Sequence, residues 1–412
     1  MKYVINDQVV LMRPPQGPVA AYIRPFAEWV RAQGYTTTSL RERIRIAARF
    51  SRWLGQKAVR PLAIRSRHCA EYLRRRVRHR SGHGGEGAAL SQFLEFLRGH
   101  GVAAPEKKPA SRLTPTEQCT QAFERYLRED RALSTASLLN YVPCIREFLD
   151  DRFGNGTVKL SRLRANDIVS FVRRRAPRLH RKRAKLLTAA LRSFLRYAQL
   201  RGEIRADLVA AVPTVADWSM PAIPRAIAPD DVRRLLQQVD RASAVGRRDY
   251  AILLLLARLG LRASEVVTLE LEDIDWKAGS LSVHGKGGRR SQLPLPQEVG
   301  AAIVAYLRRG RPRSDSRRVF LRARAPVRGF LGPSAVSTVV RHALVRAGID
   351  APTRGAHQFR HGLASEMLRQ GASLGEIGEL LGHRSPETTK IYTKVDVDAL
   401  RSLALPWPGG VR

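Results

Sequence analysis

Cysteine is scarce. The 412 residues hold three, Cys69, Cys119 and Cys144, too far apart for a disulfide framework and at no metal-ligand spacing. They read as small buried apolar residues in a reducing compartment. Long apolar runs are missing too: no stretch approaches the roughly 20 residues of a membrane span. The N-terminal MKYVINDQVV has no signal-peptide pattern. The expectation is a soluble cytoplasmic chain with no membrane partner. The third shortage is of acid. Asp and Glu number 36 against 73 Lys and Arg, a formal net charge of +37. An imbalance of this size calls for a polyanionic partner, and nucleic acid is the expected one, because Lys and Arg contacts to phosphate supply most non-specific affinity.

The positive charge is not confined to a tail. Residues 1–110 carry 21 basic and 7 acidic side chains, 111–224 carry 21 and 11, and 225–412 carry 31 and 18. Two proline-rich stretches, from Ala103-Ala104-Pro105 to Pro115 and from Val212-Pro213 to Pro224, stop helices and mark boundaries. They divide the chain into 1–104, 112–212 and 225–412. The first two pieces read as helical bundles, with Thr38 or Ser39 and Ser134 or Thr135 as expected N-caps. A shift of 98 residues lays one on the other without a gap: Ser39-Leu40 on Ser137-Leu138, Phe50 on Phe148, Leu62 on Leu160, Leu73 on Phe171, and Phe96-Leu97-Arg98 on Phe194-Leu195-Arg196. A constant offset over such a length points to duplication.

The third piece mixes helix and strand. Pro229-Asp230-Asp231 opens a helix, and AILLLLARLG continues as a longer apolar one. Leu281–His284 and Gln292–Leu295 flank the turn GKGGRR, a hairpin signal with a lysine in its turn. From about Ser334 the pattern is helical. Four clusters follow one another here: Leu259-Gly260-Leu261-Arg262-Ala263-Ser264-Glu265, then Gly285-Lys286-Gly287, then His357-Gln358-Phe359-Arg360-His361, then Leu380-Leu381-Gly382-His383, with Tyr392 nine residues further on. Each alone has an ordinary structural reading, such as a helix-start ion pair or a solvated turn lysine. The histidines suggest metal, but no Cys-x-x-Cys spacing exists, no carboxylate cluster lies among them and arginines interleave with them, so no metal and no other cofactor is expected.

In this order and spacing the clusters resemble the tyrosine recombinase (phage integrase) family, specifically over 225–400 and more loosely over 112–212. Phe359 stands where leucine is commoner, and Gly362-Leu363-Ala364-Ser365 replaces a more usual Thr-Phe-Ala-Thr. The resemblance implies a mainly α fold: helical, SAM-like N-terminal bundles before an α+β catalytic domain with a small β-hairpin or sheet. It implies an enzyme that cleaves and rejoins DNA without metal or ATP, through a 3′-phosphotyrosine on Tyr392. A phenol can attack phosphorus and later leave, which conserves the bond energy. Arg262 and Arg360 offer forked donors to the non-bridging oxygens, and His383 adds another. Lys286 is expected to protonate the leaving 5′ oxygen, His357 to accept or position a proton, and Glu265 to hold Arg262.

The second piece is expected to bind DNA through Arg173, Arg174, Arg175, Arg181, Lys182, Arg183 and Lys185, which fix register on phosphates. Arg74-Arg75-Arg76, Arg78 and Arg80 suggest the same for the first piece, an addition to the minimal family pattern. The expected partners are double-stranded DNA and further copies of the chain or related recombinases, in a synaptic tetramer that the apolar segment from Val395 to Leu405 helps to dock. The expected setting is a bacterial nucleoid and the integration, excision or transposition of a mobile element. Two other functions share parts of the pattern: a type IB topoisomerase, and a DNA-binding protein without catalysis. The second is disfavoured because no catalytic position is lost.

Overall fold

Several helices in this chain begin at a serine or threonine whose hydroxyl accepts a hydrogen bond from the backbone N–H three residues on. The computed structural model describes residues 3–5, 8–11, 13–77, 85–105, 113–204, 207–215, 226–285, 290–351, 353–382 and 386–395. Thr36, Thr114, Ser134, Ser243 and Ser373 cap helices in this way. Ser134 is where the sequence placed a cap. Thr38 and Ser39 are not caps: the helix starts earlier, at Thr37, because Thr36 is extended and its hydroxyl receives the Ser39 N–H, which puts both residues inside the first turn.

The first bundle follows a two-stranded antiparallel sheet, β1 (Tyr3–Ile5) with β2 (Gln8–Leu11). Its helices are α1 (Ile23–Ala32), α2 (Thr37–Gln56), α3 (Ser66–Val77) and α4 (Glu86–Gly99). Phe26, Phe50, Phe93 and Leu97 are among the side chains that fill its core. The second bundle has α5 (Pro115–Glu129), α6 (Thr135–Phe153), α7 (Ala165–Arg175) and α8 (Arg181–Leu200) around Phe123, Phe148, Phe171 and Phe194. Adding 98 to the bounds of α2 gives 135–154 and to those of α3 gives 164–175, within one residue of α6 and α7. The offset seen in the sequence therefore extends to the bounds of these two helices, while α5 and α8 are longer than α1 and α4.

The third segment is built on an apolar helix. After α9 (Pro229–Gln237), helix α10 (Ala244–Leu259) has every residue from Ala251 to Leu256 buried. A helix apolar on all sides must lie inside, and α10 packs against α9, α11 (Ala263–Thr268), α12 (Gln297–Arg309), α13 (Ser334–Arg346) and α14 (His357–Arg369). A three-stranded antiparallel sheet, β3 (Ile274–Asp275), β4 (Ser280–His284) and β5 (Arg290–Pro294), forms the expected hairpin, with Ser282 opposite Gln292 and His284 opposite Arg290. The chain continues as α15 (Leu374–Leu380), α16 (Pro386–Thr389) and a 3₁₀ turn over Lys390–Val395.

By contacts, the chain falls into two compact units, 106–221 in one and 1–105 with 222–412 in the other. Each of the three segments keeps its own apolar core. Within the second of these units the Val327 N–H donates to the Gln33 carbonyl at 2.9 Å. Among the described residues, no helix is long and apolar enough to cross a membrane.

Candidate active site

Arg360 lies on the first turn of α14 and is 3% exposed. A guanidinium that deep needs acceptors, since an unpaired buried charge is prohibitive. Two backbone carbonyls provide them: Nη1 donates to Gly260 O at 2.8 Å, and Nη2 donates to Leu381 O. Gly260 closes α10 in the left-handed conformation, φ +58°. A Cβ there would stand 2.8 Å from Leu381 Cδ2 and 3.1 Å from Leu363 Cδ2, so the position requires glycine. Burial and the neighbouring Arg262 together push the Arg360 pKa down to about 10, which still leaves it charged at neutral pH.

Arg262 immediately precedes α11. Its backbone N–H donates to Glu265 Oε2 and its Nη1 to Oε1, both at 2.7 Å. Glu265 is 6% exposed, while the Arg262 side chain is about a third exposed. The carboxylate thus caps the helix and anchors one edge of the guanidinium.

Tyr392 sits in the 3₁₀ turn after α16 and is 1% exposed, packed with Ala364, Ile377 and Leu381. Its phenolic oxygen is 3.1 Å from His361 Nδ1, and the two rings are 5.6 Å apart at 60°. Burial raises the phenol's pKa, while the charges of Arg360 and Arg262 pull it down. His361 in turn packs edge-on to His357, ring centroids 4.4 Å apart. Burial, then His357 and Arg360, push the His361 pKa down to about 4. The imidazole is therefore neutral at physiological pH, with one ring nitrogen open as an acceptor.

Four of the six expected catalytic residues are thus described. Arg262, Arg360 and Tyr392 come together in one electrostatic neighbourhood. His357, exposed at the start of α14, reaches it through His361. Lys286 and His383 lie outside the described residues, as do Arg78, Arg80, most of both proline-rich linkers and the tail after residue 395. Neither His361 nor Gly260 was among the expected catalytic residues. His361 could have been found as the i,i+4 neighbour of His357 on one helix face. Gly260 carried the signal of a helix C-terminal glycine. Among the described residues, no three His, Cys, Asp or Glu side chains cluster as metal ligands do.

The basic residues of the second bundle differ in what they touch. Arg173, Arg181, Lys182 and Lys185 are exposed. Arg174 pairs with Asp151 at 2.7 Å and Arg175 with Glu147 at 2.5 Å, while Arg183 donates to Asn140 Oδ1 at 3.3 Å.

The sequence profile of the phage integrase family matches residues 225–398, and that of the phage integrase N-terminal SAM-like domain matches 120–202. The protein named integrase/recombinase y4rA from Sinorhizobium fredii is 56% identical over 409 residues, 99% of each chain. The tyrosine recombinase XerD of Mycobacterium tuberculosis is 33% identical over 308 residues, 70% of this chain and 96% of XerD. Among solved structures, the site-specific recombinase XerH, in a post-cleavage complex with a palindromic difH substrate, shares the fold with a TM-score of 0.55. It is 18% identical, over 69% of this chain and 83% of XerH.

Proposed function

The chain belongs to the phage integrase family of tyrosine recombinases, and from that premise we propose that Tyr392 is the nucleophile with which it cleaves and rejoins DNA at specific sites. The carrying observation is that a buried phenol lies against a neutral histidine and within the field of Arg360 and Arg262. Tyr392 Oη attacks the scissile phosphorus, and its proton passes to His361, with His357 at its back. A phosphate in the site raises the proton affinity of both histidines, since an adjacent negative charge favours the cationic form. Arg360 and Arg262 face the non-bridging oxygens, where fixed charges stabilise the charge that develops, and His383 adds a donor. The P–O5′ bond breaks as Lys286 protonates the leaving oxygen. A 3′-phosphotyrosine results, and attack by the 5′-hydroxyl of a partner strand reverses the steps on exchanged DNA.

The excess of positive charge in every segment supports double-stranded DNA as the substrate. Exposed Arg173, Arg181, Lys182 and Lys185 on the second bundle hold its phosphates. A palindromic site, like the one XerH binds, engages two copies by symmetry, and joining two such sites requires four, so the working assembly is a tetramer on synapsed DNA. The setting is the movement of a mobile genetic element in a bacterial nucleoid. The test is a duplex nicked beside its cleavage point, which traps the covalent adduct on a denaturing gel. Wild type is expected to form the adduct and Tyr392→Phe to form none; an adduct with the phenylalanine variant assigns the nucleophile elsewhere.

A further inference from the structure

The two bundles present the same helix pair, α2 with α3 and α6 with α7, related by the 98-residue offset. In the second bundle this corner is balanced in charge: Arg174 pairs with Asp151 and Arg175 with Glu147. The positions that correspond to Glu147, Asp150 and Asp151 in the first bundle are Arg49, Arg52 and Trp53. The acids have become two arginines and an indole, while on the other helix Arg173 and Arg174 correspond to Arg75 and Arg76, and Arg175 to Val77.

The consequence is a pocket of about 500 Å³, walled by Arg49, Arg52 and Trp53 from α2 and by Tyr72, Arg75 and Arg76 from α3. Arg76 is neutralised by Glu86, which accepts from it at 2.7 and 3.0 Å. Arg49, Arg52 and Arg75 are exposed, and none forms an ion pair among the described residues. Gathering three uncompensated guanidinium groups is unfavourable unless an anion joins them.

The chemistry of the ligand follows from these walls. Guanidinium forks match the paired oxygens of a phosphodiester. Trp53 and Tyr72 are too deeply buried to offer a face for base stacking, so the pocket recognises a backbone and not a sequence. We propose that this pocket on the first bundle is a second DNA-backbone site, which grips a phosphodiester of the bound duplex other than the one cleaved. That the phosphate belongs to DNA rests on the recombinase reading; that the pocket takes a phosphate group does not.

The test places acids at the two positions that correspond to Glu147 and Asp150, in the full-length chain, with Arg49→Glu/Arg52→Asp. The acids can then neutralise Arg75, and circular dichroism is expected to show an unchanged fold. Each phosphate contact contributes about 0.9 to the slope of log affinity against log salt. That slope, measured on duplex DNA, is expected to fall by about 1 as the phosphate held by Arg49, Arg52 and Arg75 is released. Arg24→Glu/Arg31→Asp makes the same charge change on exposed positions of α1 and is expected to alter the slope by less than about 0.3. An equal fall in both variants would reduce the pocket to diffuse charge, and an unchanged slope overturns the proposal. Should the double variant misfold, Arg75→Gln alone carries the test, with an expected fall of about 1. Titration with inorganic phosphate separates the sources of the ligand: tight phosphate binding that needs Arg49 and Arg52, with no change in the DNA slope, makes this a free-phosphate site and overturns the DNA assignment. The covalent adduct is scored on the same samples at low salt. Its absence in wild type removes the recombinase reading and leaves the slope result standing.

Discussion

His361 Nδ1 lies 3.1 Å from the phenolic oxygen of Tyr392, so the second histidine of the cluster is within hydrogen-bond range of the proposed nucleophile. Proton acceptance by a positioned residue contributes roughly 10²–10⁴-fold to a rate. His361→Ala is expected to lower single-turnover cleavage by about that factor while leaving DNA affinity within about threefold. A variant that cleaves at the wild-type rate returns the role to His357.

The same histidine makes stability depend on pH. Its pKa is about 4 in the fold against 6.5 in the unfolded chain. Below 6.5 the unfolded state binds a proton that the folded state refuses, so stability falls as pH drops from 6.5 towards 4 and then levels. Denaturant titrations across this range are expected to show a shallower decline for His361→Gln than for wild type. Parallel curves for the two proteins would place the titration elsewhere.

Gly260→Ala tests the bridge between α10 and Arg360. The left-handed backbone costs an alanine roughly 1–2 kcal/mol, and the new methyl meets Leu381, whose carbonyl also holds Arg360. Both a lower melting temperature and slower cleavage are expected, because the two carbonyls that orient Arg360 move apart. Loss of stability with full activity would separate the glycine from the site.

Glu265 combines helix capping with the anchoring of Arg262. Glu265→Gln keeps a group that can accept the Arg262 N–H but removes the charge. Glu265→Ala removes both and strands a buried N–H, at about 1–3 kcal/mol. Thermal melts are expected to rank wild type, Gln, then Ala. Cleavage is expected to fall in the same order, since an unanchored Arg262 gives up part of its alignment with the phosphate.

Lys286 is tested by its leaving group. A 5′-phosphorothiolate substrate expels sulfur, which needs no proton. Lys286→Ala is expected to cut normal DNA poorly and the sulfur substrate nearly as fast as wild type. Equal loss on both would make Lys286 a stabiliser of phosphate charge.

The groups proposed to react were legible in the sequence because their types and spacing are local properties. An arginine before Ser-Glu, a lysine in a glycine turn and a His-x-x-Arg can each be read along a few residues. The hairpin of β4 and β5, the helix opened by Pro229 and the cap at Ser134 follow from equally local signals. The 98-residue offset could also be read directly, since both bundles keep the same periodicity. What could not be read is contact across elements. That His361 faces Tyr392 depends on how the turn at 390–395 docks against α14, and that Arg360 is held by Gly260 and Leu381 depends on carbonyls 100 and 21 residues away. The arginine runs in α3 and α7 look alike in sequence. Only packing shows that Arg174 and Arg175 are answered by acids on α6, while Arg75, with Arg49 and Arg52 on the facing helix, is not. Helical periodicity places a side chain on a face of its own helix, but whether its charge is neutralised there or left open to a ligand is settled by the helix packed against it.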